Sequence, residues 1–309
     1  MILCAGEALI DMLPRKTEAG EAAFAPYPGG SVFNTAVALS RLGTKTEFFS
    51  GLSTDLFGER LDSVLMANGV GSALAHRNDR PTTLAFVTLT DGHASYAFYD
   101  ENTAGRMLTE ADLPAIPETA KACFFGGISL AVEPCADAYA ALIGRANDLG
   151  RVVMIDPNIR PGFIADEARF RARLDQMLAQ TDIIKASDED LRWLLGDMSL
   201  PELAEALRAK GPSVVLVTQG AAGVTGFYAG GEIHVDAEAV TVVDTVGAGD
   251  TFNAGVLAGL DDAGALDKAM IAKGLDAETL RGAMELGVRA SAVTVTRAGA
   301  NPPRRDELS

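Results

Sequence analysis

The chain has 309 residues, 48% of them hydrophobic and 22% charged, and carries a formal net charge of −16. That length can bury a large core and suits one extended α/β domain, with or without a small appendage. Such an acidic balance argues against nucleic-acid binding, which needs a basic face, yet a local cation or helix terminus could still receive a phosphorylated ligand. Three cysteines, Cys4, Cys123 and Cys135, form no paired framework and no metal-ligand spacing, and read as buried, reduced thiols of a cytoplasmic protein. The N-terminus lacks the basic and apolar regions of a signal peptide, and no apolar run reaches membrane length. His76, His93 and His234 are too scattered to suggest a zinc site or a His-based triad.

In chain order, residues 2–5 read as a short strand, and 24–27 as another ahead of Pro28-Gly29-Gly30. Residues 33–42 carry apolar side chains at helical spacing and stop at Gly43. A compact apolar strand follows at 46–50. Residues 83–90 and 95–99 flank Asp91-Gly92, a hairpin signal. Further strands are expected at 123–125, 152–155, 183–185 and 214–217, separated by helical stretches such as 139–149 and 170–178. This alternation predicts a mostly parallel sheet covered on both faces, with ligands beyond the carboxyl ends of its strands. Asp156, Lys185 and Thr218 belong near that edge. Segments 13–28 and 82–104 are read as a small β lid over a core of 1–12, 29–81 and 105–309. Excluding water from a phosphate site and forming a homodimer surface are both compatible roles for it.

Residues 244–255, Asp-Thr-Val-Gly-Ala-Gly-Asp-Thr-Phe-Asn-Ala-Gly, carry the most chemistry. They follow a strand-like run at 239–243 and lead into a helical stretch at 254–260. Gly247, Ala248 and Gly249 can turn backbone amides toward an anion at the helix N-terminus. A carboxylate in that place, Asp250, is costly unless it has a task, and deprotonating a hydroxyl that attacks a phosphate is one. Alone, Gly-x-Gly-Asp reads as a turn and a helix cap; the whole string after a β-run is harder to read that way. It is neither a Walker A loop nor a dinucleotide fingerprint.

Four further motifs complete a pattern: Gly6-Glu7-Ala8-Leu9-Ile10-Asp11, Pro28-Gly29-Gly30-Ser31-Val32-Phe33-Asn34, Gly51-Leu52-Ser53-Thr54-Asp55-Leu56-Phe57-Gly58 and Asp156-Pro157-Asn158-Ile159-Arg160-Pro161. In this order, and over nearly the whole chain, the sequence resembles the ribokinase-like (PfkB) family of sugar kinases, most closely its bacterial fructokinase branch. The resemblance implies a three-layer α/β/α sandwich with a β lid, and phosphoryl transfer from ATP to a sugar hydroxyl with Mg2+. It makes Asp250 the general base and 247–249 the anion hole. Asp11, Gly29, Gly30, Asn34 and Phe98 become the sugar set, and Arg160 lies near the sugar or the transferring phosphate. Lys185, Ser187, Thr218, Gly220 and Gly223 fall on the nucleotide side. Where many relatives have Asn-x-x-Glu, this chain has Ser187 and Asp190 with Glu189 adjacent. Glu189 or Asp190 could hold a magnesium-bound water, and a solvated acidic helix start is the alternative. A monovalent cation, K+, is implied near Asp244, Val246, Thr294, Arg297 and Gly299.

The acids in Phe98-Tyr99-Asp100-Glu101 would repel a sugar acid such as 2-keto-3-deoxygluconate, which favours a neutral sugar, D-fructose foremost, although Arg106 is close in sequence. Ribose, other ketohexoses and nucleosides remain alternatives, as does a non-catalytic sugar-binding regulator.

Overall fold

The computed structural model describes residues 1–90 and 93–308, with side chains outside 88–96. Its strands are β1 (Ile2–Ala5), β2 (Leu9–Lys16), β3 (Ala22–Gly29), β4 (Thr46–Phe49), β5 (Gly51–Ser53), β6 (His76–Asn78), β7 (Leu84–Thr90), β8 (His93–Tyr99), β9 (Ala122–Gly126), β10 (Val152–Asp156), β11 (Ile183–Ser187), β12 (Val214–Thr218), β13 (Val224–Tyr228) and β14 (Gly231–Val235). The helices are α1 (Ser31–Arg41), α2 (Leu56–Ala67), α3 (Cys135–Asp148), α4 (Glu167–Leu178), α5 (Asp188–Leu195), α6 (Leu200–Arg208), α7 (Ala248–Asp262), α8 (Lys268–Lys273) and α9 (Ala277–Val295).

An eight-stranded sheet runs β14-β13-β12-β11-β10-β9-β1-β4 and is parallel from β12 to β4, with β13 and β14 antiparallel at one edge. Continuous apolar strands such as Ile2–Ala5 and Val152–Asp156 are buried throughout, because helices cover both faces. Side-chain alternation divides the core. Ile2 and Cys4 point into one layer with α1, α2 and α7–α9, while Leu3 and Ala5 point into another built on α3. Farther along, Val215 and Val217 pack with α4–α6. This is a three-layer α/β/α arrangement with a mostly parallel sheet, as the resemblance implies.

A separate four-stranded sheet, ordered β3-β2-β7-β8, is built from residues 9–29 and 84–99. It occupies the expected lid segments, although β2 starts at Leu9 and Ile10 is fully buried against the core. The expected Asp91-Gly92 turn lies outside the described residues.

One element was misread. Residues 239–243 form no strand; Val240, Val242 and Val243 are 39, 58 and 62% exposed. At its end, the Val243 and Asp244 amides donate to the Val295 carbonyl. Val240 and Val242 wall a cavity instead of filling a sheet. Helix α7 also begins earlier than its apolar run, at Ala248, so Asp250 lies in the first turn.

Candidate active site

Gly247 sits at φ +79, in the left-handed region that favours glycine, and turns the chain into α7. The Ala248 amide turns back to the Thr245 carbonyl at 3.3 Å, and the Gly249 amide follows it at the positive end of a 15-residue helix. Asp250 is buried there, and α1 grips it. The Ser31 hydroxyl donates to Oδ1 at 2.7 Å, and the Asn34 amide donates to Oδ2 at 2.9 Å. The Thr35 hydroxyl donates to the Asp250 carbonyl at 3.2 Å. Ser31 and Asn34 share one face of α1 because they stand three residues apart.

Burial pushes the Asp250 carboxyl up to about 6 against the two donors, with the Asp156 charge adding to the rise and Lys185 opposing it. Asp11 on β2 is also pushed up to about 6, first by burial and then by the charge of Asp250, so the two carboxylates sense each other. A Cβ on Gly29 would stand 2.3 Å from Asp11 Oδ2. Asp11, Gly29, Gly30 and Asn34 thus gather around Asp250. A base must be unprotonated to accept a proton, so a raised pKa moves the acid limb of activity upward. With Asp250 as the base that the resemblance implies, kcat/KM is expected to fall below pH about 6, where an ordinary aspartate would still be ionised; a pH-rate series checks this.

Behind the anion loop, Lys185 Nζ donates to Asp156 Oδ2 at 2.9 Å, and the Asn253 amide donates to the same oxygen at 2.7 Å. All three residues are buried. Burial alone would lower the Lys185 pKa, but the Asp156 charge and hydrogen bond, joined by Asp190 and Asp250, leave it raised. A Cβ on Gly249 would lie 2.9 Å from Lys185 Nζ, which places a protonated ammonium directly beside the loop amides.

On the other side of the loop opens a cavity of about 570 Å3, the size of a small-molecule site. Thr218, Gly220 and Gly223 line it together with Gly249, as do Val240 and Val242 from the misread run. An apolar cavity ending at a helix N-terminus suits a flat ring attached to phosphates. Residues 1–307 match the family model described as pfkB family carbohydrate kinase.

The chain belongs to the pfkB family of carbohydrate kinases. It is 51% identical over 283 residues to the fructokinase of Rhizobium leguminosarum bv. trifolii, covering 91% of this chain and 86% of that protein. The solved fructokinase with bound ATP from Xylella fastidiosa superposes with a TM-score of 0.88 at 28% identity, covering 99% of this chain and 97% of that one. A fructokinase double mutant from Vibrio cholerae O395, in fructose, ADP and potassium ion bound form, gives 0.87 at 25% identity over 99% of this chain and 96% of that one. As a family member, the chain is a kinase that phosphorylates an alcohol group of a sugar.

Other expected site residues of this kinase have protein partners of their own. Arg160 is exposed, and its guanidinium donates to the Ile159 carbonyl of its own loop at 3.0 Å. Ser187 caps α5: its hydroxyl accepts the Asp190 amide, while the Asp190 carboxylate accepts the amides of Ser187 and Ile159. Asp190 is thereby occupied structurally, and Glu189 is left as the exposed carboxylate. Among the described residues, no three His, Cys, Asp or Glu side chains converge to hold a metal. Asp244 joins two loops by accepting the Val246 and Gly299 amides at 3.0 and 2.8 Å. The Thr294 hydroxyl turns to Thr251 and the Ala290 carbonyl, and Arg297 pairs with Glu307.

Asp100 acts differently from the expected surface repulsion. It is buried, accepts the Thr83 and Thr103 hydroxyls, and lies 3.7 Å from Arg106, whose Nε also donates to the Glu133 carbonyl. Its effect is to occupy Arg106. Phe98 meets Phe163 edge to face at 4.4 Å, joining the small sheet to the loop after Arg160. Glu7, Ser31 and Asn253 were not singled out as site residues, and Asp156 was placed only near the ligand edge of the sheet. Asn253 carried a faint signal, standing three residues after Asp250.

Proposed function

We propose that this kinase transfers the terminal phosphoryl group of ATP to D-fructose, with Asp250 as the general base. The observation that carries this reading is the Asp250 carboxylate, held by Ser31 and Asn34 at the start of α7, between the sugar set and the cavity beside Gly249. Asp250 takes the proton of the attacking sugar hydroxyl as its oxygen bonds to phosphorus and ADP departs. The 247–249 amides and the Lys185 ammonium receive the charge that spreads over the phosphoryl oxygens. Asp11 and Asn34 orient the sugar. Bound Mg2+ would neutralise phosphate charge, and Glu189, the carboxylate not consumed by capping, would hold one of its waters. The segments that Asp244 draws together would hold K+, the ion named with the Vibrio cholerae relative.

A neutral sugar is favoured because Arg106 is tied to Asp100 and Glu133, which leaves it poorly placed for a sugar carboxylate. The names of the relatives support fructose among the neutral sugars. The free, buried cysteines support a cytoplasmic setting, and no helix among the described residues could cross a membrane. Exposed Phe24 and Tyr99, packed against Phe86, support pairing of two copies through the lid. The deciding test is a coupled ADP-release panel of fructose, ribose, tagatose, 2-keto-3-deoxygluconate and nucleosides. Fructose is expected to give the highest kcat/KM, and a higher value for the sugar acid would overturn the assignment.

A further inference from the structure

Gly30 stands at the N-cap of helix α1 and has no side chain to cap it, and the helix's first turn carries no acidic residue. The glycine pair is needed where the sugar approaches the backbone, so the usual Ser, Thr or Asp cap is missing at the helix that grips the base. The Ser31 amide would be an orphan donor there. A carboxylate from outside the helix satisfies it: Glu7, just past the end of β1, accepts the Ser31 amide through Oε1 at 2.8 Å. Its Oε2 faces the Ser129 amide at 3.4 Å. Glycines leave the space Glu7 occupies, since a Cβ on Gly127 would lie 2.0 Å from Oε1 and a Cβ on Gly30 would meet the Glu7 carbonyl at 2.8 Å.

We infer that Glu7 is a positioning residue for phosphoryl transfer, fixing the start of α1 through the Ser31 amide so that Ser31 and Asn34 hold both oxygens of Asp250. The inference rests on Asp250 as the base. Glu7 is two hydrogen bonds removed from that carboxylate: Glu7 to the Ser31 amide, and the Ser31 hydroxyl to Asp250 Oδ1. The acceptor oxygen matters more than the charge, since burial already pushes the Glu7 carboxyl up to about 7. A helix start displaced by a fraction of an ångström carries both donors with it, and misplacement of this kind near reacting atoms costs turnover steeply.

The test compares Glu7→Ala, Glu7→Gln and Glu7→Asp with Asp250→Asn in steady-state kinetics, with rates expressed per folded molecule from thermal melts. Glu7→Ala is expected to lower kcat by roughly 10- to 100-fold while leaving KM for ATP in place, because the nucleotide cavity lies across the loop. Glu7→Gln keeps the acceptor at full reach and recovers most of the loss. Glu7→Asp keeps the charge but is one methylene too short, and behaves like Glu7→Ala. Wild-type kcat in Glu7→Ala overturns the inference, as does an active Glu7→Asp beside an inactive Glu7→Gln. If Glu7→Ala fails to fold, the Gln and Asp pair still decides. A fully active Asp250→Asn would instead remove the base assignment beneath it, and that arm reads independently of the Glu7 series.

Discussion

Replacing Asp250 with Asn should lower kcat by about 100- to 10,000-fold, the usual worth of a positioned general base. The substitution is nearly isosteric, so α7 and the cavity beside Gly249 persist. An amide cannot accept the proton, and its NH2 group would face either the Ser31 hydroxyl or the Asn34 amide, both of which now donate to the carboxylate. KM for ATP should barely move, since Asp250 does not line the nucleotide cavity. Rapid-quench measurement of sugar phosphate separates this loss of chemistry from a slowed product release. Near wild-type turnover in Asp250→Asn would sink the mechanism while leaving the fold and family untouched.

The second large effect concerns the buried pair of Asp156 and Lys185. Asp156→Ala strands the ammonium and takes the acceptor from Asn253, so it should cost about 3–5 kcal/mol of stability, read from denaturant midpoints. Removing both charges, as Asp156→Ala with Lys185→Met, should recover much of that stability, because no uncompensated charge is left buried. Activity should not return with it. The ammonium beside the Gly249 amide is gone, and losing one such stabilising group costs about 100-fold in kcat. A double variant that regains both stability and turnover would reduce Lys185 to a structural residue.

The sheet was readable in the sequence because strands such as Val152–Asp156 are continuous apolar runs between helical patterns, the mark of a doubly covered parallel sheet. The same cue failed at 239–243, where Val240 and Val242 line a cavity and the Val243 amide donates to the Val295 carbonyl. Asp250, the glycine pair and Asn34 fall in compact motifs, so their grouping around one carboxylate was legible. Their supports were not. Ser31 and Asp250 meet across 219 residues, Asn253 and Asp156 across 97, and no local periodicity encodes either contact. Glu7 lay inside a quoted motif, but its partner is a backbone amide, which leaves no side-chain signal. Asp190 and Arg160 went the other way: both match motif positions, yet one is consumed in capping α5 and the other turns onto its own loop.

Product stoichiometry tests the central claim most directly. Purified kinase with Mg2+, ATP and fructose, followed by 31P NMR, should yield one fructose phosphate for each ADP and no ADP when the sugar is omitted. ADP release without sugar, or unconsumed fructose beside rapid phosphorylation of another sugar in the panel, would contradict the account.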